Sequence, residues 1–217
     1  MAGSREGVSN CSLNPGYATA YHWYFMCLIM MGRDQEDSNF TKRAQELDPL
    51  SLIIQADIGL SYYFAGKYDL AIGQLRRALD MDQNFSAAHR ILEAIYEQKG
   101  MYADAIREFE VCRKLSGKEP DLVKRQAVEL AEAYGSGGAE GYWRKRLDLL
   151  REKNNASSCS VAQVHAMLGE LDDAFVWLGK AYDESSPNII YSRVDPRFQG
   201  LRPDPRFASL LRRIGLS

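Results

Sequence analysis

The chain is poor in several things that common folds need. Its 217 residues hold 8 Val, 11 Ile and 2 Thr against 23 Leu and 23 Ala. β-Branched residues favour strands and lose rotamer freedom in helices, whereas Ala and Leu lose little there. A β-sandwich or parallel-sheet enzyme is disfavoured, and an all-α chain is expected. No proline falls between residues 50 and 119, while four fall after 186. Proline breaks helix interiors, so the empty window has room for long helices and the tail is built differently. Net charge is nearly absent, with 27 Lys+Arg against 29 Asp+Glu, so no global basic field invites nucleic acid or anionic lipid. The four cysteines, Cys11, Cys27, Cys112 and Cys159, form no CxxC and no dense framework, which points to reduced thiols in a cytoplasmic protein. The longest apolar run, Trp23 to Met31, is too short to span a bilayer. Residues 1–10 lack periodicity and are expected to be a disordered end or remnant.

What is present is a period of 34. Gly32, Gly66 and Gly100 are spaced by it, as are Pro15 and Pro49, Ala44 and Ala78, Asp48 and Asp82, Tyr62 and Tyr96, Tyr68 and Tyr102, and Ala71 and Ala105. Each register has a physical role. Glycine supplies a left-handed turn after a helix. A small Ala lets two helices approach, and an Asp-Pro step ends one repeat and starts the next. The second repeat carries the pattern best, with Gly59, Tyr62, Gly66, Ala71, Leu75 and Ala78; the third keeps Tyr96, Gly100, Ala105 and Phe109. The first keeps Gly32, Ala44 and Pro49, but has Asp37 where a small residue is usual. Past 120, helices are expected at 121–134 and 139–152 with a turn at 135–138. A degenerate repeat follows, in which Gly169, Ala174, Leu178 and Ala181 restore the spacing.

These registers resemble the tetratricopeptide repeat. The resemblance implies a right-handed α-solenoid of antiparallel helix pairs over 11–186. Repeats are expected near 18–51, 52–85 and 86–119, with degenerate ones at 120–153 and 155–186. The tail repeats a motif nine residues apart, Asp195-Pro196-Arg197-Phe198 and Asp204-Pro205-Arg206-Phe207. It reads as a C-terminal helical cap over 187–217, with the two Asp residues as N-caps. Phe198, Leu201, Phe207, Leu210 and Leu211 are expected on its inner side. Together with the AYGSGGAEGYWRKRLDLL element, this ending is similar to the C-terminal tetratricopeptide portion of large bacterial regulators. That likeness implies an N-terminal winged-helix, kinase or cyclase effector domain in a longer protein, with this chain as a C-terminal fragment or standalone relative.

Catalytic motifs are thin. His22, His89 and His165 form no HExxH or zinc spacing. The Gly-rich 135–141 segment lacks the GK[ST] of a phosphate loop. The Trp143–Arg146 cluster is followed by Asp148 and Glu152, so it reads as an ion-paired face. No enzyme, cofactor or metal site is expected. The resemblance places a concave groove along the first helix of each repeat, at Thr19, His22, Met26 and Ile29, then Ile53, Ala56, Leu60 and Tyr63, then Ala87, Arg90, Ala94 and Glu97. His22, Met26, Leu60, Tyr63, Arg90 and Glu97 are the candidate partner-binding residues. The groove is mostly apolar and suits a protein or peptide segment. The Lys/Asn clamp for a chain-terminal carboxylate is missing. Self-association of the first repeat is the alternative expectation.

Overall fold

A computed structural model describes residues 17–33, 38–152 and 156–216. Among them no strand occurs. The helices are α1 (Ala18–Met30), α2 (Ser38–Leu47), α3 (Leu52–Phe64), α4 (Tyr68–Met81), α5 (Ser86–Gln98), α6 (Tyr102–Leu115), α7 (Pro120–Arg151), α8 (Ser158–Met167), α9 (Leu171–Asp183) and α10 (Pro205–Arg213). Two 3-10 segments, Pro187–Tyr191 and Pro196–Leu201, precede α10. Packing is by consecutive pairs: α1 on α2, α3 on α4, α6 on α7 and α8 on α9. The readings placed on residues 1–10, Pro15 and Asp37 lie outside the described residues.

The chain forms two compact units, and the boundary falls inside α5, between Ile95 and Tyr96. In the first unit the small-residue registers make the core. Ala71, Leu75 and Ala78 on α4 are fully buried. Gly59 on α3 lets Leu75 approach, since a Cβ there would stand 2.7 Å from the Leu75 side chain. A buried polar chain ties three helices together. Gln74 on α4 donates to Gln55 Oε1 on α3, Gln45 on α2 donates to the same oxygen at 3.3 Å, and Gln55 donates to the Pro49 carbonyl at 3.0 Å. Gly32, Gly66 and Gly100 take φ of +68°, +71° and +69°. At Gly66 the N–H bonds Tyr63 O and the next N–H, of Lys67, bonds Tyr62 O. That double closure satisfies the last helical carbonyls and needs a left-handed residue at the turn.

In the second unit, the second-helix registers are again interior: Ala105 and Phe109 on α6, and Ala174, Leu178 and Ala181 on α9. The turn expected at 135–138 between two helices is present but narrows to one residue. Helix runs on through residues 135–137, where Ser136 Oγ donates to Glu132 O at 2.9 Å, and only Gly138 leaves the helical region, at φ 58°, ψ −145°. One residue suffices because glycine alone tolerates that conformation. Lys145 Nζ lies 2.7 Å from Glu129 Oε2. Sixteen residues of straight helix would separate them by about 24 Å, so α7 doubles back at Gly138. Gly141 faces the Ala133 carbonyl so closely that any Cβ would collide with it.

The tail packs on α8 and α9. Phe198, Leu201, Phe207 and Leu210 are buried with Cys159, Ala162 and Leu178, and Leu211 is partly buried. Asp195 caps the 3-10 segment by accepting from Arg197 N at 3.0 Å, and Asp204 caps α10 by accepting from Arg206 N at 2.8 Å. The last helix spans Pro205–Arg213.

Candidate functional site

In the first unit, α1 and α3 lie side by side. Between them they carry 26 residues whose only Asp, Glu, Lys, Arg or His side chains are His22 and Asp57. These two meet: His22 Nε2 donates to Asp57 Oδ2, with the imidazole buried. The contact ties α1 to α3 across 35 residues of sequence. Neighbouring α2 and α4 are built otherwise, with Lys42, Arg43 and Glu46 on one, and Asp69, Arg76, Arg77 and Asp80 on the other.

The accessible face of these helices follows a definite phase. On α3, Ile53 is 60% exposed, and Asp57, Leu60 and Phe64 are half-buried. On α1, Thr19 is exposed, Trp23 is 62% exposed, and Met30 is half-buried. On α3, steps of four, three and four residues keep the stripe within about 60° of one helix face, whereas on α1 the residue at the third place of that phase, Met26, is 4% exposed. On α5, Ala87 and Ala94 are half-buried and Arg90 is exposed.

Four of the six candidate partner-binding residues therefore sit elsewhere. Arg90 is exposed and Leu60 half-buried, as a contact residue should be. Tyr63 is 1% exposed and Met26 4%, so both are core side chains, and His22 is buried in its bond to Asp57. Tyr63, ten residues after Ile53, is turned about 80° from the stripe and points to the helix interior. Glu97, in the second unit, is 4% exposed; it accepts from the Tyr142 hydroxyl at 2.8 Å and stands 3.6 Å from Arg146 Nε. The Arg146 guanidinium in turn lies 5.0 Å from the Phe109 ring centre. Sequence reasoning passed over Trp23 and Phe64. The charge poverty of α1 and α3 was the signal that could have found them, because a solvated helix face usually carries charge.

Other clusters are engaged internally. His89 bonds the Gln83 carbonyl at 2.9 Å. His165 Nδ1 bonds Glu170 at 2.7 Å, and Glu170 also accepts from Arg144. Partial burial opposes its ionisation, but these two donors hold Glu170 below the usual carboxylate range. Glu170, His165 and Asp173 offer three ligand-type atoms within 4.8 Å of one another, with the Arg144 cation already on the central carboxylate. Arg144, Lys145 and Arg146 thus face Glu170, Glu129 and Glu97, so the basic cluster is an ion-paired one. Tail arginines are likewise held: Arg193 by the Leu216 carbonyl, Arg197 by Asp195, Arg206 by Asp204 and Asp172. Burial pushes the Cys159 thiol up to about 11, too weak an acid to act as a thiolate nucleophile near neutrality.

No family model matches the chain. Over 68 residues, 31% of this chain, it is 32% identical to an uncharacterized protein of Haemophilus influenzae, of which the aligned part covers 38%. The chain thus matches well under two thirds of that relative's length.

Proposed function

We propose that the chain is a tetratricopeptide-type protein-interaction scaffold that binds a partner protein or peptide segment on the exposed stripe of α1, α3 and α5. The reading extends to a right-handed solenoid of antiparallel helix pairs with a C-terminal cap. It also extends to service as the regulatory or sensing arm of a larger cytoplasmic bacterial regulator. Catalysis, direct nucleic-acid binding and membrane insertion are not part of it. The turn-back of α7 at Gly138 and the shared glycine turns support the helix-pair part. Among the described residues, no helix is long and apolar enough to cross a membrane.

One observation carries the functional reading. A helix that is apolar all round is ordinarily buried all round, yet α1 and α3 leave Trp23 and Ile53 in water. Shape-complementary burial of these side chains would drive binding at about 25 cal/mol per Å² of apolar surface, less the cost of ordering the partner. The test is affinity capture from a native lysate with Trp23→Ser and Ile53→Asp, set against Arg77→Glu on α4. Loss of the same bands in both stripe variants and not in Arg77→Glu is expected. Undiminished capture would remove the reading. Light scattering over a concentration series separates it from self-association, for which a strict monomer is the contrary result.

A further inference from the structure

The chemistry of the partner can be drawn from where charge stands on α1 and α3, a step that rests on the interaction reading above. Their one carboxylate is Asp57, and neither helix has a Lys or Arg. Asp57 is half-buried and lies between Ile53 and Leu60 on the accessible stripe of α3. The His22 imidazole holds its Oδ2. No other hydrogen bond or ion pair engages the carboxylate among the described residues, so Oδ1 has no protein partner there. Trp23 stands 34 residues before Asp57, at the corresponding place on α1, and is 62% exposed. Its ring centre lies 5.7 Å from that of His22, with the planes at 45°. One buried imidazole therefore sits against both the exposed indole and the half-paired carboxylate, across the contact of α1 with α3.

We propose that the segment docking here is an apolar peptide carrying one arginine, whose guanidinium pairs with Asp57 and lies on the Trp23 ring while its apolar neighbours cover Ile53 and Leu60. Covering the stripe takes water from the carboxylate, and a dehydrated oxygen without a donor is costly. The partner must then supply that donor, and a cationic one gives a stronger bond than a neutral one. A planar guanidinium can hydrogen-bond a carboxylate and stack on an indole face at once, which a lysine ammonium does less well. A partner acid at the same place would meet like charge and be rejected. With no Lys or Arg on either helix, nothing on them competes for Asp57.

The test pans a phage-displayed random dodecapeptide library on the immobilised full chain, on Asp57→Asn, which keeps an acceptor for His22, and on Ile53→Asp, with circular dichroism confirming that each is folded. Peptides enriched on the unsubstituted chain are expected to combine apolar residues with an arginine. The best of them, made synthetically, should bind Asp57→Asn about tenfold more weakly, or about 1.4 kcal/mol. Its Arg-to-Gln version should lose about as much on the unsubstituted chain and then bind Asp57→Asn and the unsubstituted chain alike, the mark of a direct pair. That Gln comparison on the unsubstituted chain reads the pair from the peptide side even if Asp57→Asn does not fold. Trp23→Leu should weaken the Arg peptide about threefold more than the Gln one. Enrichment that depends on Ile53 but shows no basic bias, or an Arg peptide indifferent to its own Gln replacement, would overturn the proposal and leave the docking reading standing. Enrichment indifferent to Ile53→Asp would overturn both. A concentration-dependent dimer abolished by Ile53→Asp would assign the stripe to a second copy and overturn the arginine-peptide proposal.

Discussion

Asp195 and Asp204 do the same chemistry in different surroundings. Each caps a helix N-terminus and grips the arginine two residues on through both guanidinium arms. Asp195 is almost fully buried and also accepts from Gln163 at 3.0 Å, whereas Asp204 stands nearer to solvent. Breaking a buried pair leaves an uncompensated charge. Asp195→Ala should therefore cost about 3 kcal/mol, read from chemical denaturation. Asp204→Ala should lower the melting temperature far less; equal losses would contradict this account. Acid sharpens the contrast. Arg206, through its side chain and then its backbone N–H, holds Asp204 below the ordinary carboxylate range. A depressed carboxylate contributes stability above its unfolded value, and the contribution disappears as pH falls through the lower folded value. The melting gap between Asp204→Asn and the unsubstituted chain should be present at pH 7 and close as pH falls through and below the ordinary carboxylate range. A gap unchanged at low pH would show that the carboxylate charge is irrelevant.

At the scale of elements, the reversal of α7 rests on two glycines with different duties. Gly138 holds a backbone conformation that L side chains avoid, and Gly141 has no room for a Cβ against the Ala133 carbonyl. Gly135 and Gly137 are helical with open space around them. Gly138→Ala and Gly141→Ala should each destabilise by about 2 kcal/mol. Gly137→Ala should be neutral or stabilise by up to about 1 kcal/mol, a ranking that denaturant midpoints can check. That ranking was hidden in the sequence, because GSGG reads as a uniform loop and only the observed backbone separates the glycine that turns from those that continue the helix. Other features were legible because their signal is local. Gly66 is followed by its turn bonds, and the two Asp-Pro-Arg-Phe motifs cap themselves within two residues. Long-range features were not. The His22–Asp57 tie spans 35 positions, and a shift of one helical position separates buried Tyr63 from half-buried Phe64.

For the molecule as a whole, function turns on a contrast between neighbouring helices. In the first unit α2 and α4 carry the charge, and α1 and α3 carry the apolar surface, part of it in water. The central claim is that this exposed surface is where a partner docks. Site-specific photocrosslinking tests it most directly, with a benzoylphenylalanine placed at Ile53 and, as a control, at Val128, an exposed apolar position of α7 in the second unit. The account predicts a discrete crosslinked product in native lysate from position 53 that is missing from position 128 and is lost when Trp23 is also replaced by Ser. Equal labelling from both positions, or a product at 53 indifferent to Trp23→Ser, would contradict it.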